Sequence, residues 1–420
     1  MANLILLYYN YPIFIHNFSE KSINYIITFE MTSQEVKISQ DLIKIPSYSG
    51  FNEAVLKYIE EFLVKLGFEC ENLTFDGDNS YKVNNLHAIF NPNKSEKTIY
   101  FAGHTDVVNE GDLTKWEFSP FSATINDGKL YGRGACDMKC ALACFLAAAQ
   151  NFIQKNPNPE FAIGLLITND EESDGVNGTK KALQWMKKSG KNISACIVGE
   201  PTNPSKLGEM VKIGRRGSVN FDLEITGKQG HVAYADLALN PITALIDSLQ
   251  TLNSHVFDDG NEFFPPTNLE ITSLTSDNFG ENVIPFKAQA NFNIRFNSIH
   301  TSKSIIELVN YVCGKNADSF GYKYQLKHRV SGESFLSNQG NFANKVRDII
   351  AKTTNIDTVF GTTGGTSDAR FIKDYCGNML EFGLINETAH KINEYSVISE
   401  IEDLQKIYLE ILQQFNEIQL

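Results

Sequence analysis

His104 and Asp106 stand two residues apart, just past an apolar run, Thr98–Ala102. Asp170, Glu171 and Glu172 follow a second run, Phe161–Thr168. Glu200 follows a third, Ala195–Val198, and His390 comes shortly after a fourth, Met379–Leu384. Taken singly, each of these side chains reads as a helix cap or a solvated loop charge. Their joint placement reads differently, because ligands of open α/β sheets bind in the crevice beyond the carboxyl ends of the strands. Imidazole plus carboxylate, with no thiolate, suits Zn²⁺ in hydrolysis, with Co²⁺ or Mn²⁺ as alternatives, better than iron–sulfur or copper chemistry. Five such ligands exceed the needs of one tetrahedral ion that keeps an open position, so two ions sharing a bridging carboxylate fit the count better. Asp137, in Gly132-Arg133-Gly134-Ala135-Cys136-Asp137-Met138-Lys139, sits where a loop enters a helix and is the natural bridge. Glu171 and Glu172, adjacent in the chain, cannot both face one ion in the same way. One can ligate while the other acts as general base toward the attacking water. Asp106 is placed to orient the His104 imidazole.

Such a site needs elements that deliver loops to one edge. Short apolar runs alternate with amphipathic stretches along the chain, the pattern of an α/β sheet with helices on its faces. Helices are expected at Val36–Ile43, Asn52–Leu66, Met138–Ile153, Gly178–Lys188, Asn341–Thr353 and Ile401–Ile418. Between about Arg215 and Lys327 the texture changes. Alternating strands at Val219–Thr226, Asn268–Leu274 and Ala288–Phe296 accompany helices at Asn240–Asn253 and Ser302–Asn316. The fold class is therefore α/β: a catalytic domain with a mixed central sheet (31–214 and 328–420), interrupted by a smaller α+β sandwich (215–327). Residues 1–30 read as an appended N-terminal extension outside the fold. Their apolar part, Leu4–Ile15, is broken by Asn10 and Pro12 and is shorter than the ~20 residues of a membrane helix. No Lys or Arg precedes Lys21, so the positive start of a secretory signal is missing.

The 420 residues carry 37 Lys+Arg against 50 Asp+Glu, a formal charge of −13. That balance argues against a nucleic-acid partner, which needs clustered cations, and no segment asks for a membrane. Seven scattered cysteines do not make a disulfide framework, and they point to reduced thiols in the cytoplasm. Cys136, Cys140 and Cys144 share one helical face but lack the C-x-x-C pairs of metal sites, and read as small buried residues. Gly132-x-Gly134 lacks the third glycine of a dinucleotide loop.

Four blocks in series resemble a known zinc metallopeptidase family: Gly103-His104-Thr105-Asp106-Val107-Val108, Gly132-Arg133-Gly134-x-x-Asp137-Met138-Lys139, Thr168-x-Asp170-Glu171-Glu172 and Val198-Gly199-Glu200-Pro201. The family contains succinyl-diaminopimelate desuccinylases, acetylornithine deacetylases and glutamate carboxypeptidases. Further segments look like the desuccinylase branch, among them Gly214-Arg215-Arg216-Gly217-Ser218, Gly230-His231-Val232-Ala233-Tyr234, Asn282-Val283-Ile284-Pro285, Thr363-Gly364-Gly365-Thr366-Ser367-Asp368 and His390-Lys391-Ile392-Asn393-Glu394. The similarity runs from about Met31 to the C-terminus.

The resemblance implies two Zn²⁺ ions, with cobalt or manganese as alternatives at one site. His104, Asp137 and Glu200 would hold one, and Asp137, Glu172 and His390 the other. Glu171 would be the base and acid, and Asp106 the support of His104. His231 would come from the partner subunit of a homodimer to stabilise the oxyanion. Arg215, Tyr234, Asn282, Arg295, Gly365, Thr366 and Asn386 would hold the substrate's carboxylates and amide. The implied substrate is N-succinyl-LL-2,6-diaminopimelate, cleaved on the path to lysine and peptidoglycan, with the inserted domain serving dimerisation and closure. Asn109, Cys140, Ala235-Asp236 and Ala369 depart from the family's usual residues. None of them is a candidate ligand or the base. A non-catalytic binding protein on the same fold would be expected to have lost a ligand or the base, and all are present.

Overall fold

The computed structural model of the chain describes residues 7–8, 11–12, 32–94, 96–278 and 280–420. The reading of residues 1–30 as an appended segment lies outside them, apart from a short antiparallel pairing of Leu7–Tyr8 with Tyr11–Pro12. Helices α1 (Gln34–Ile43) and α2 (Glu53–Lys65) come first, followed by the antiparallel strands β1 (Glu69–Gly77) and β2 (Ser80–Phe90). Strand β3 (Thr98–His104), helix α3 (Cys140–Lys155), strand β4 (Ala162–Thr168), helix α4 (Thr179–Lys188), and strands β5 (Ala195–Val198) and β6 (Met210–Lys212) continue the layer.

The chain then builds a second sheet from β7 (Gly217–Thr226), β8 (Asn268–Ser276), β9 (Lys287–Phe296) and β10 (Lys323–Gly332), with helices α5 (Pro241–Asn253) and α6 (Ser302–Phe320). It returns through α7 (Asn341–Thr354), β11 (Val359–Gly361), β12 (Met379–Glu381) and α8 (Ile398–Gln414).

The eight-stranded sheet runs β11-β6-β12-β5-β3-β4-β2-β1. Strands β12, β5, β3 and β4 are mutually parallel at its centre, while β2 runs against both its neighbours and β6 runs against β12 but parallel to β11. Parallel strands at the centre of a sheet are covered on both faces, which is why β3 and β4 are unbroken apolar runs. One face packs on α1, α3 and α8, where Phe101 stacks on Phe145 at 4.6 Å between centroids. The other face packs on α4 through Leu183 and Met186. Residues 135–155 have the length and composition of a membrane-crossing helix, yet 83% of that apolar window is buried in this core.

The four-stranded sheet is antiparallel, in the order β8-β9-β7-β10, and has its own core against α5 and α6. Burial alternates along β7 and β9, the period expected of a sheet covered on one face.

The expected elements are present, with their ends shifted. The run Met379–Leu384 is a strand only as far as Glu381, and the last helix begins at Ile398 rather than Ile401. Strands β1, β2 and β10 were not expected from the sequence. β2 buries Asn84, Asn85 and His87 among its apolar residues, which breaks the apolar pattern. Hydrogen bonds meet most of their polar atoms: Asn85 donates to the Leu73 and Asn177 carbonyls, and His87 Nε2 pairs with Tyr100 at 3.0 Å, while His87 Nδ1 lies 3.3 Å from Glu71 Oε2.

Among the three helix-face cysteines, Cys136 Sγ donates to the Ile385 carbonyl and Cys144 Sγ to the Ile401 carbonyl. Burial pushes the Cys140 thiol up to about 12. These are packed thiols, in keeping with the sequence reading.

Candidate metal centre at the carboxyl edge of the sheet

Register sets the site. His104 lies opposite Thr168, Ala102 opposite Val198, and Val198 opposite Glu381, so β3, β4, β5 and β12 end almost level. The loops that leave these ends carry His104 and Asp106, Asp170–Glu172, Glu200, and the segment to His390.

Asp137 enters from the loop before α3. That loop is tight: Gly134 has φ +85, and a Cβ there would lie 2.8 Å from Val107 Cγ1. The Gly-x-Gly spacing thus serves the turn into α3 and not a phosphate.

Asp137 lies between the two imidazoles. Its Oδ1 is 3.0 Å from His104 Nε2, and its Oδ2 is 3.5 Å from His390 Nε2. His390 Nε2 also reaches Glu172 Oε1 at 2.9 Å, and His104 Nε2 is 3.8 Å from Glu200 Oε1. His104, Glu171 and Glu200 offer ligand atoms that all lie within 4.8 Å of one another, as do His104, Asp137 and Glu172. Glu171 and Glu172 therefore both belong to the cluster but with different neighbours, as expected for adjacent side chains. His390 holds a left-handed backbone, φ +62, uncommon for a residue with a Cβ and typical of constrained sites.

Burial opposes ionisation of His104, Asp137, Glu171, Glu200 and His390, and at the two imidazoles and Asp137 the partners override it. Burial resists charge on both His104 and Asp137. Hydrogen bonds with Asp106 and Asp137 nevertheless hold His104 well above the usual imidazole range, and those with His104 and His390 hold Asp137 well below the usual carboxylate range. Hydrogen bonds to Asp137 and Glu172 raise His390 to about 10. Burial, with the Asp137 carboxylate beside it, pushes Glu200 up to about 8. Burial, followed by the neighbouring Glu200, lifts Glu171 well above its ordinary value. Protons on imidazoles and carboxyls thus neutralise a surplus of negative charge, which is the work divalent cations do in a metal centre. The buried Glu200 Oε1 has no hydrogen-bond partner. An orphaned carboxylate oxygen among imidazole and carboxylate donors fits a metal ion.

Asp106 supports His104 mainly through its main chain, whose carbonyl lies 2.9 Å from His104 Nδ1 and fixes Nε2 toward the cluster. Its carboxylate Oδ1 lies 3.6 Å from His104 Nδ1, and the carboxylate also accepts from the amides of Glu171 (3.2 Å) and Glu172 (3.0 Å) and from Ser49 Oγ (2.7 Å). Spacing alone pointed to the first role and gave no sign of the second.

The expected substrate residues fall into separate groups. Arg215, Arg295, Gly365 and Thr366 meet: Arg215 Nη1 donates to the Gly365 carbonyl at 3.0 Å, and Arg295 Nη1 to Thr366 Oγ1 at 3.4 Å. The Arg215 fork is also bound by Glu381, a buried residue the sequence reading did not single out, which Ser367 Oγ holds at 2.8 Å. Its place at the end of a short apolar strand was the available signal.

His231, Tyr234 and Asn282 lie in the second unit. The His231 and Tyr234 rings are 5.8 Å apart, and the Asn282 carbonyl accepts from the Val232 amide. No contact between these three and the metal cluster occurs among the described residues. Asn386 is exposed, and its amide donates to the Asn203 carbonyl at 2.9 Å.

Residues 100–414 match the model of peptidase family M20/M25/M40. The chain is 44% identical over 384 residues to a protein of Pelagibacter ubique named succinyl-diaminopimelate desuccinylase, covering 91% of this chain and 99% of the relative. It is also 44% identical over 391 residues to the protein of that name from Ehrlichia canis, covering 92% and 100%. Among solved structures, the fold resembles an M20 family metallo-carboxypeptidase from Sulfolobus solfataricus, with a TM-score of 0.76 at 18% identity over 92% of this chain and 100% of that one. It also resembles a dinuclear metal-binding M20 peptidase from Bacillus subtilis, with a TM-score of 0.65 at 17% identity over 90% and 97%.

The raised values of the candidate ligands His104, His390 and Glu200 mean that in the metal-free protein a cation must displace protons. Because those protons become easier to lose as pH rises, affinity for Zn²⁺ is expected to rise between pH 6 and 8. The gain should be about tenfold per pH unit for each proton released. Calorimetric titration of metal-stripped protein in buffers of differing ionisation enthalpy measures both quantities, and an affinity independent of pH would contradict the assignment.

Proposed function

The chain belongs to peptidase family M20/M25/M40, and on that footing we propose that it hydrolyses N-succinyl-LL-2,6-diaminopimelate to LL-2,6-diaminopimelate and succinate, a step toward lysine and peptidoglycan precursors. It is a metal-dependent amide hydrolase. One observation carries the substrate: 44% identity sustained along 99% of a desuccinylase. The Gly365-Thr366-Ser367-Asp368 and Arg215 segments, which bear the desuccinylase resemblance, meet near the metal cluster and support the same reading.

In this reading His104, Asp137 and Glu200 hold one divalent cation and Asp137, Glu172 and His390 the other, with Asp137 between them. Zn²⁺ suits the donors at both positions, and Co²⁺ or Mn²⁺ could replace it at one. Bound there, the cations supply Lewis acidity toward the attacking water and the amide carbonyl.

Glu171 takes the proton of the attacking water and returns it to the leaving amine nitrogen, and its raised affinity for a proton suits that two-way role. Arg295 faces a substrate carboxylate, for which paired guanidinium donors are matched, while Arg215, whose fork Glu381 holds, adds positive charge beside it, with Gly365, Thr366 and Asn386 nearby.

His231 acts from the partner subunit of a homodimer. Its Nδ1 accepts the Ala233 amide at 3.0 Å, so in the neutral ring Nε2 carries the proton and can donate to the oxyanion of the tetrahedral intermediate. The exposure of its surroundings supports this, Tyr234 being 62% and Leu237 64% exposed. Tyr234 and Asn282 would reach the substrate with it. We assign residues 31–214 and 333–420 to a catalytic domain and 215–332 to a dimerisation and lid domain, which ends past the expected 327 because β10 stays paired with β7 as far as Gly332, in a cytoplasmic enzyme without nucleic-acid or membrane partners.

Glu171→Gln is expected to keep two cations per chain while turnover of N-succinyl-diaminopimelate falls by roughly 10²–10⁴-fold. Near-normal turnover would remove Glu171 as the base. Preference of the wild type for N-acetylornithine or a dipeptide in the same assay would overturn the substrate.

His231→Ala should be slow for a different reason, namely a missing partner residue. Co-refolding it with Glu171→Gln places one intact site in each mixed dimer. With random pairing, about a quarter of wild-type activity should return. No recovery in verified mixed dimers would contradict action in trans.

A further inference from the structure

Asp137 and His390 sit on different loops, and one buried side chain ties those loops together. Glu394, 1% exposed, is four residues beyond His390. Its Oε1 accepts the amides of Cys136 at 2.8 Å and of Asp137 at 3.2 Å, and its main-chain carbonyl accepts the Gly132 amide at 2.9 Å. A single residue of the His390 loop thus grips both ends of the Gly132–Asp137 turn. Its Oε2 accepts from Arg133 Nη1 at 2.6 Å. Arg133, 2% exposed, also donates to the Lys391 carbonyl at 3.1 Å and the Asn109 carbonyl at 3.3 Å. The loop that carries His104 and Asp106 is thereby joined to the same clasp.

A buried carboxylate is costly unless its oxygens are occupied. Here every donor to it comes from the turn that presents Asp137. An ion pair that served only to fill the core would not need two of its acceptor contacts spent on the amide of a metal-ligand residue and on the amide before it. His390 sits at φ +62 and Asn393 at φ +59, so the loop that supplies Glu394 is itself held in a constrained path.

We propose that Glu394 is a positioning residue that sets the Asp137 backbone relative to His390, so that both ligands face one cation. The proposal rests on the two-metal reading of the site. Displacing an outer partner of a ligand commonly weakens metal binding by one to two orders of magnitude.

The test is titration of the metal-stripped full chain with Zn²⁺, with folding checked by circular dichroism. Wild-type protein should bind two equivalents, and failure of that control would count against the two-metal reading, not against Glu394. Glu394→Ala should weaken the second equivalent by roughly 100-fold, and Glu394→Gln, which keeps one acceptor oxygen but leaves Arg133 without its anion, by roughly 10-fold. In both variants kcat should fall with KM nearly unchanged. If Glu394→Ala does not fold, Glu394→Gln decides alone. Either variant, folded and binding both equivalents within about twofold of wild type, would overturn the proposal whatever its melting temperature.

Discussion

Too many carboxylates share too little water at the carboxyl edge of the large sheet. Asp137, Glu171, Glu172 and Glu200 converge with two imidazoles, and Asp106 lies just behind them. Two carboxylates about 4 Å apart repel by roughly 4 kcal/mol at an effective dielectric of 20. Without cations the cluster persists only by holding protons, which is why His390 and Glu200 are pushed up and His104 is kept charged. Divalent cations remove that conflict, and the rest of the molecule can be understood as what holds the carboxylates close enough to need them.

Strand register does the first part. Level ends of β3, β4 and β5 put His104, the Glu171–Glu172 pair and Glu200 within reach of each other. Loop clasps do the second. The Asp106 carboxylate fixes the Glu171 and Glu172 amides, and Glu394 fixes those of Cys136 and Asp137. In both cases a buried anion is stabilised by main-chain amides adjacent to the ligands. The chemistry-bearing side chains are therefore placed by backbone, which leaves little rotational freedom to lose when a cation or substrate arrives.

Much of this was legible in the sequence, for identifiable reasons. Continuous apolar runs of parallel strands mark β3, β4 and β5, and a change of residue type at their ends marks the ligands. Strand β2 was hidden because Asn84, Asn85 and His87 are buried with partners from other segments, and a sequence pattern shows polarity but not partners. The same limit hid the second role of Asp106 and the pairing of Arg215 with Glu381, 166 residues away in the chain. Edge strand β10 does alternate, with Tyr324, Leu326 and Val330 between charged or polar neighbours, and Tyr324 and Leu326 pack on the second core; exposed or half-buried throughout, it makes a weaker apolar signal than the buried strands.

The most direct measurement is anomalous diffraction at the zinc edge from a crystal grown with Zn²⁺. Two peaks per chain are expected, one on either side of the Asp137 carboxylate, one beside His104 and Glu200 and the other beside Glu172 and His390. A single peak, or peaks that do not share Asp137, would contradict that arrangement.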